Sequence, residues 1–339
     1  MKILMSSHFF HPSVGGIEEV SRVLALELVR SGQEVRIITS TRENGDVQFP
    51  FEVIRAPGAR ELIRQVRWCD VYFHNNISLR TAWPLLFVRR PWVVAHHTWI
   101  MRHTYDREGW RDKIKHHVIR MARNIAISEP VARHVVRAPS VVIGNPYRDD
   151  LFRELPGVDR NLDLVFLGRL VVDKGVDLLL AAMAFMKTKG AIPNLTIIGD
   201  GPEREALERQ AEALGITSQV TFAGTVTGED LVLLLNRHKL VVIPSRWQEP
   251  FGLAALEAVA CGCVAVVADC GGLPDAIGPC GVLFKHEDIH SLAERLEELM
   301  LKGGRIQKFR VGAEEHLRKH LAENVAARYL SVLQDAARS

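Results

Sequence analysis

The sequence has no long apolar run, few cysteines and no paired cysteine motif. No hydrophobic stretch approaches the ~20 residues that a membrane-spanning helix needs. The five cysteines are scattered without C-x-x-C spacing, which argues against a disulfide framework or a zinc site and favours free thiols in a reducing compartment. The opening MKILMSSHFFHP has no apolar region followed by a cleavage site, so it is read as a first strand and not as a signal peptide. We therefore expect a cytoplasmic protein.

Several nucleotide-binding fingerprints are also missing. No G-x-G-x-x-G follows the first strand, which argues against a nicotinamide-dependent dehydrogenase, and no P-loop G-x-x-x-x-G-K-[ST] occurs. No Asp-x-Asp occurs in the 339 residues, so a Mg²⁺ clamp on a diphosphate has little support. We expect neither a metal site nor a bound cofactor.

What the sequence does contain is a regular alternation of strands and helices. Short apolar β-branched runs alternate with stretches of helical period, a pattern typical of parallel α/β sheets. Strands are predicted in two groups, at 2–6, 34–40, 51–55, 71–74, 92–96 and 124–128, and at 164–167, 195–198, 220–223, 241–244, 264–268 and 282–284. Between the groups, residues 145–163 are rich in Asp and Arg and contain two prolines. This pattern predicts two α/β domains, 1–148 and 149–321.

Charge is distributed unevenly between the two halves. Residues 1–150 hold 22 Lys and Arg against 15 Asp and Glu, whereas the remainder holds 21 against 25. Residues 111–123 are predicted as a helix with two faces: a basic face of Lys113, His116, His117, Arg120 and Arg123, and an apolar stripe of Ile114, Val118, Met121 and Ile125. The basic face is either ordinary solvated charge or a surface for anionic lipid headgroups or a lipid-linked acceptor. Nucleic acid is not expected, because no aromatic side chains interleave with the basic ones.

Candidate binding residues follow the predicted strands, where ligands of parallel sheets bind. Gly15 and Gly16 precede the first helix and would let backbone N–H groups approach a phosphate or a sugar, although a plain turn explains them as well. In the second half, Arg169 and Lys174 follow a strand and can converge on one anion, with two solvated cations as the alternative. Another strand end carries Gly199-Asp200-Gly201, for which a tight turn before a helix is an equally good explanation.

The strongest segment runs from the end of a buried strand at Pro244 through Arg246 into a helix. Phe251, Gly252 and Leu253 start that helix, whose free N–H groups would accept a diphosphate. Two carboxylates, Glu249 before the helix and Glu257 within it, flank this anion site. They can hydrogen-bond hydroxyl groups on either side of it, one on a transferred sugar and the other on a ribose.

On these residues the sequence resembles glycosyltransferase family 4, whose hallmark is a Glu, seven residues and a second Glu, matched by Glu249 and Glu257. The resemblance covers essentially the whole chain, including Gly271-Gly272-Leu-Pro-Asp275, where relatives usually carry Glu at the last position. It implies the GT-B fold, α/β with two facing Rossmann-like domains and a cleft between them. The first domain would bind the acceptor and the second the donor, and a helix at about 322–339 would pack back onto the first.

The resemblance also implies an activity: retaining transfer of a hexose from a UDP- or GDP-sugar to a glycan or lipid-linked acceptor, in cell-surface polysaccharide or glycolipid synthesis. The expected catalytic residues are His97, Arg169, Lys174 and Glu249. His97 matches the family's strand-end histidine, with the adjacent His96 as the alternative. The expected donor-binding residues are Gly15, Gly16, Gly199, Asp200, Gly201, Arg246, Phe251, Gly252, Leu253 and Glu257.

We expect attack on the same face of the sugar that the nucleoside diphosphate leaves, because no carboxylate pair is placed for a double displacement. His97 would orient the sugar, and no metal would take part. A sugar epimerase or phosphorylase of the same fold and a non-catalytic nucleotide-sugar-binding subunit remain alternatives. Any peripheral membrane contact, through 111–123, would be at the inner face of the plasma membrane.

Overall fold

The computed structural model describes residues 1–13, 15–43, 47–100, 109–135, 140–301 and 304–338. They divide into two compact units, one formed by 1–146 with 320–339 and the other by 147–319. Each unit is built on one parallel sheet with helices in its crossovers, which confirms the predicted α/β class.

The sheet of the first unit has seven parallel strands in the order β3-β2-β1-β4-β5-β6-β7. The strands are β1 Lys2–Ser6, β2 Glu34–Thr39, β3 Glu52–Arg55, β4 Val71–Asn75, β5 Trp92–His96, β6 Arg123–Ala126 and β7 Ser140–Val142. Its helices up to β7 are α1 Gly16–Arg30, α2 Ala59–Trp68, α3 Leu79–Ala82, α4 Trp110–Val118 and α5 Glu129–His134. The chain winds outward from β1 in both directions, so β1 and β4 are neighbours at the point where the order reverses.

The second unit repeats this topology with six parallel strands in the order β10-β9-β8-β11-β12-β13. Its strands are β8 Leu162–Leu167, β9 Leu195–Ile198, β10 Val220–Gly224, β11 His238–Ile243, β12 Val264–Ala268 and β13 Gly281–Phe284. Its helices are α6 Val176–Thr188, α7 Arg204–Ala213, α8 Gly228–Asn236, α9 Leu253–Ala260, α10 Leu273–Ile277, α11 Ile289–Leu301, α12 Gly304–Val311 and α13 Ala313–Arg318. Every residue of β12 is buried, as expected for a strand covered by helices on both faces.

The last helix, α14 (Ala322–Ala337), belongs to the first unit, where it packs against α1, β4 and β5. Its apolar face includes Val325, Tyr329 and Leu333, all fully buried in the core of that unit. The Tyr329 ring lies 5.8 Å from that of Phe73 on β4 in an edge-to-face arrangement. Residues from the two ends of the sequence therefore share one core.

The predicted helix over 111–123 is wrong in its extent and in its faces. The α-helix ends at Val118, a short 3₁₀ turn follows, and Arg123 already starts β6. The Asn124 side chain donates to the carbonyls of Ile119 and Ala122, which fixes this turn outside a helix. The predicted faces are mixed: His116 is buried, whereas the supposed core residues Ile114 and Met121 are exposed.

The helices in the described ranges include none that is both long and apolar enough to cross a bilayer.

Candidate functional site

The point where the winding of the second sheet reverses lies between β8 and β11, and the loops after both strands meet at its carboxyl edge. The loop after β8 contains residues 168–175, and the loop after β11 contains residues 244–252. They are joined directly, because the N–H groups of Arg246 and Trp247 both donate to the Asp173 carbonyl, at 2.9 and 3.1 Å. The two loops that carry the predicted anion-binding residues are thus held together by backbone hydrogen bonds.

Gly175 makes this close approach possible. Its φ is +64°, and a Cβ there would lie 2.1 Å from the Pro244 carbonyl oxygen. Any other residue would clash with backbone as well as adopt a left-handed conformation. The glycine therefore lets the turn before it, Val172–Lys174, lie against the loop after β11.

Lys174 and Glu249 form an ion pair across these two loops. Lys174 Nζ lies 2.9 Å from Glu249 Oε1, and the hydroxyl of the fully buried Ser245 donates to the same oxygen. The Glu249 side chain is 14% exposed and that of Lys174 is 30% exposed. A carboxylate is therefore held in a fixed position at the strand ends by an ammonium and a hydroxyl, while the cation stays reachable from solvent.

The two cations predicted to converge on one anion, Arg169 and Lys174, have different surroundings. Lys174 contacts Glu249, whereas Arg169 is exposed and makes no ion pair with any described residue. Arg246, a predicted donor-binding residue, is bound to Asp177 and, at 3.3 Å, to Glu287. Its guanidinium is thus anchored by two carboxylates of the same unit.

The N-terminus of α9 lies at the end of the same loop. Gly252 precedes it with φ +133° and Phe251 is buried, whereas Leu253 is half-buried. Its N-cap residue, Gly252, has no side chain to accept the first N–H groups, which have no acceptor inside the helix. Glu257 is half-buried one turn further along. The geometry therefore presents uncapped N–H dipoles a few residues after Glu249.

The segment Gly199–Gly201 joins this edge through backbone contacts with the loop after β8. The Leu170 N–H donates to the Asp200 carbonyl at 3.0 Å, and a Cβ on Gly201 would lie 2.3 Å from the Leu170 carbonyl oxygen. A Cβ on Gly199 would lie 1.9 Å from the carbonyl oxygen of Gly168. Both glycines are required for packing whatever they bind, and the Asp200 carboxylate accepts the Gly201 N–H within its own turn at 2.7 Å.

In the first unit, His96 and His97 follow each other at the end of β5 and have different partners. His96 Nε2 lies 2.8 Å from the side-chain oxygen of Asn124, and His97 Nε2 lies 2.6 Å from that of Asn75 at the end of β4. Burial lowers the pKa of His96 to about 4 and that of His97 to about 3, so both rings are neutral near pH 7. His97 is the one joined to the strand ends beside β1, where the first sheet reverses its order.

Gly15 is the N-cap residue of α1, and Gly16 is the first residue of that helix. Gly15 is in extended conformation, and the Glu18 carboxylate occupies the space in which its Cβ would lie. Nothing lies within 4 Å of the corresponding position at Gly16. The acidic side chain of Glu18 therefore sits over one of the two glycines predicted to approach an anion.

Residues 286–290, His-Glu-Asp-Ile-His, have the HExxH spacing that binds zinc when one helix presents both histidines. Here α11 begins only at Ile289, and Glu287 has a φ of +57° in the turn before it. His286 Nε2 donates to the Arg246 carbonyl at 2.9 Å, and the His290 ring packs edge-on against Phe185. Among the residues with described placement, no three His, Cys, Asp or Glu side chains are grouped to hold a metal ion.

Comparison with known proteins assigns the second unit to a family. The model of the family "Glycosyl transferases group 1" matches residues 148–320, just over half of the chain. The chain belongs to this family. The match contains Arg169, Lys174, Glu249 and Glu257, whereas His97 lies outside it.

One relative found by sequence comparison is also a glycosyltransferase. A D-inositol 3-phosphate glycosyltransferase of Salinispora tropica is 34% identical over 195 residues, which are 54% of this chain and 40% of that enzyme. The chain thus matches about two fifths of the length of this relative.

Solved structures show the same fold over the full length. Sucrose-phosphate synthase from Thermosynechococcus elongatus is 19% identical, covers 100% of both chains and has a TM-score of 0.83. Anabaena HepE in complex with UDP and glucose is 20% identical, covers 99% of this chain and 100% of its own, and has a TM-score of 0.79. The group 1 chain therefore has the GT-B fold, as predicted.

Proposed function

We propose that this protein is a family 4 glycosyltransferase that transfers a hexose from a UDP- or GDP-sugar to a glycan or lipid-linked acceptor, with retention of anomeric configuration. The observation that carries the proposal is the Lys174–Glu249 pair, fixed by Ser245 a few residues before the uncapped start of α9. Group 1 membership and the GT-B fold support the reaction class. The solved complex of HepE with UDP and glucose supports a nucleotide-sugar donor.

The chemistry follows from where charge develops. As the nucleoside diphosphate leaves, negative charge grows on its bridging oxygen, and fixed cations and N–H dipoles aimed at that oxygen favour the transition state. Lys174, the exposed Arg169 and the first N–H groups of α9 supply those groups without a metal. Glu249 holds the transferred sugar, and Glu257 holds the ribose.

His97 contributes orientation and not proton transfer. A ring whose pKa is lowered to about 3 by burial is not an imidazolium near pH 7, so it is neither a general acid nor an effective general base. The departing phosphate oxygen therefore accepts the proton of the acceptor hydroxyl, on the face of the sugar from which it leaves. His97 accepts a hydrogen bond from a sugar hydroxyl instead.

The segment 110–123, which contains α4 and the turn after it, supports a membrane-proximal acceptor. Trp110 is 67% exposed and Met121 is 77% exposed, and the same segment carries the exposed basic residues Lys113, Arg120 and Arg123. Exposed apolar side chains among cations are typical of segments that lie in the headgroup region of an anionic bilayer. We therefore propose a cytoplasmic protein that touches the inner face of the plasma membrane through this segment, with a role in cell-surface polysaccharide or glycolipid synthesis.

A panel of nucleotide sugars tests the reaction class. A donor present at about 100 times its Kd stabilises the folded protein by ~2.7 kcal/mol, which thermal shift detects. The donor that stabilises is then incubated with and without candidate acceptors, and sugar products and free nucleoside diphosphate are measured. Acceptor-dependent release supports the transferase, whereas an isomerised donor without acceptor indicates an epimerase. Binding without any product would indicate a non-catalytic subunit, and the absence of any stabilising donor would contradict the proposal.

A further inference from the structure

A chain of buried hydrogen bonds links His97 to the interior of the first unit. Asn75 Nδ2 donates to Ser21 Oγ at 2.6 Å, and Asn75 Oδ1 lies 2.6 Å from His97 Nε2. Ser21 lies on α1, Asn75 lies on β4 and His97 directly follows β5, so these hydrogen bonds connect three parts of the first unit. The Ser21 and Asn75 side chains are fully buried, and His97 is almost so.

The hydrogen bonds of Ser21 determine which atom donates in each bond between Ser21, Asn75 and His97. The Ser21 hydroxyl has one proton and two acceptors for it, the Ile17 carbonyl at 2.8 Å and the Ser7 hydroxyl at 2.9 Å, because the Ser7 hydroxyl donates its own proton to the Phe9 carbonyl at 2.7 Å. Whichever of the two accepts that proton, the Ser21 oxygen is an acceptor toward Asn75, whose NH₂ group therefore faces it. The carbonyl oxygen of Asn75 then faces His97, and an oxygen without a proton can only accept. Nε2 of His97 must carry the hydrogen.

We propose that Asn75 is a positioning residue that fixes His97 in the tautomer protonated at Nε2, so that Nδ1 presents a lone pair. In a neutral imidazole one nitrogen donates and the other accepts, and the partner of one nitrogen decides the state of the other. Nδ1 of His97 is buried and has no hydrogen-bond partner in the described ranges. It is therefore an acceptor that lacks a donor.

A second amide competes for the proton. The side chain of Asn145 lies near His97, and its Oδ1 is likewise buried without a hydrogen-bond partner in the described ranges. This oxygen would favour a proton on Nδ1. The bond to Asn75 has good geometry at 2.6 Å, whereas Asn145 Oδ1 makes no hydrogen bond of acceptable geometry within the described part of the chain, so the Nε2 tautomer is the more stable one. Both bonds would form only in the imidazolium ion, which burial disfavours together with the adjacent His96.

The consequence for catalysis rests on the proposed function. Two buried acceptors without donors, His97 Nδ1 and Asn145 Oδ1, suit a ligand rich in hydroxyl groups, because each hydroxyl supplies a donor. With the proton on Nδ1, His97 would offer a donor in place of an acceptor, and the same ligand would lose its bond. Asn75 acts on the sugar only through His97.

The tautomer can be observed directly. Two-bond ¹H–¹⁵N correlation spectra of protein labelled with ¹⁵N-histidine distinguish the protonated from the unprotonated ring nitrogen, and His97→Gln identifies the signal. We expect the wild-type signal to show the proton on Nε2. In Asn75→Leu, which keeps the size of the side chain, the proton should move to Nδ1, where Asn145 accepts it.

Activity is measured on the same samples. If Asn75 acts as proposed, Asn75→Leu lowers kcat/KM about tenfold, the typical effect of one lost hydrogen bond. Ser21→Ala keeps Asn75 but removes the group that fixes its orientation, so a mixture of tautomers and a smaller loss are expected. Asn124→Leu is the matched control, because it removes the corresponding amide from His96 and should leave the His97 spectrum unchanged.

The outcomes separate the two proposals. A wild-type proton on Nδ1, or a proton that stays on Nε2 in a folded Asn75→Leu protein, would overturn the assignment to Asn75. A tautomer that changes as expected while kcat/KM stays at the wild-type value would overturn its role in the reaction. If the wild-type protein transfers no sugar, the proposed function fails, and the spectra still decide the tautomer.

Discussion

Replacing Lys174 with Met removes the cation that pairs with Glu249 across the two loops of the candidate site. The lost ion pair is partly exposed, so its contribution to the free energy of unfolding is about 1 kcal/mol or less. In a unit of this size that corresponds to a decrease in Tm of about 2–4 °C at most. The catalytic loss should be larger, since removing one donor from a developing oxyanion lowers the rate about 10²–10³-fold, or ~2.7–4 kcal/mol.

Lys239→Met provides the matched control. Lys239 Nζ lies 2.8 Å from Asp163 Oδ1, and the two side chains are 41% and 17% exposed, close to the values for the Lys174 pair. This second pair lies at the amino-terminal edge of the same two strands, β8 and β11, away from the loops. Nucleoside diphosphate release under saturating donor and thermal unfolding are measured for both variants. Equal losses of turnover, or a well-folded Lys174→Met protein with near wild-type kcat, would refute the assigned role.

Three further outcomes are expected. Turnover should persist in excess EDTA, and a complete loss that Mg²⁺ or Mn²⁺ restores would contradict metal-independent catalysis. In calorimetry, Glu257→Gln should weaken binding of free nucleoside diphosphate, which contains the ribose, whereas Glu249→Gln should leave that binding nearly unchanged and lower kcat; the reverse order would show that the donor lies the other way round. Changing Lys113, Arg120 and Arg123 to Gln should reduce co-sedimentation with anionic vesicles at low salt, and a wild-type protein that does not bind them would leave this surface as ordinary solvated charge.

The regular part of the fold could be predicted because buried parallel strands are continuous apolar runs. The strands Lys2–Ser6, Trp92–His96 and Val264–Ala268 were predicted with the bounds that the structure has. The edge strand Ser140–Val142 was missed, since it has three residues, none of them buried, and shows no pattern. The prediction of a helix over 111–123 was wrong for the opposite reason. A helical period continues through residues 119–123, but these residues form a turn and the start of a strand, and local hydrogen bonds from the Asn124 side chain hold that turn.

The candidate site was predictable only as a set of segments. Lys174 and Glu249 were each found from their place after a strand, but their ion pair joins residues 75 positions apart, and no local pattern encodes it. The same holds for Asn75 and His97, 22 positions apart, whose contact depends on the order of β4 and β5 in the sheet. The HExxH pattern at 286–290 is the opposite case. Its local spacing is typical of a zinc site, but only its last two residues lie on α11, so one helix does not present both histidines.

The place of α14 has a consequence for how the protein is made. A ribosome delivers residues in order, and contiguous domains fold as they emerge. Residues 147–319 form such a unit. In the first unit, by contrast, Phe73 on β4 packs against Tyr329, which is synthesised more than 250 residues later, so that part of the core stays uncovered until α14 has been made. The unit whose synthesis starts first is therefore the last to reach its folded state. Translation that stops before Ala322 would release a chain with a complete second unit and an open first one.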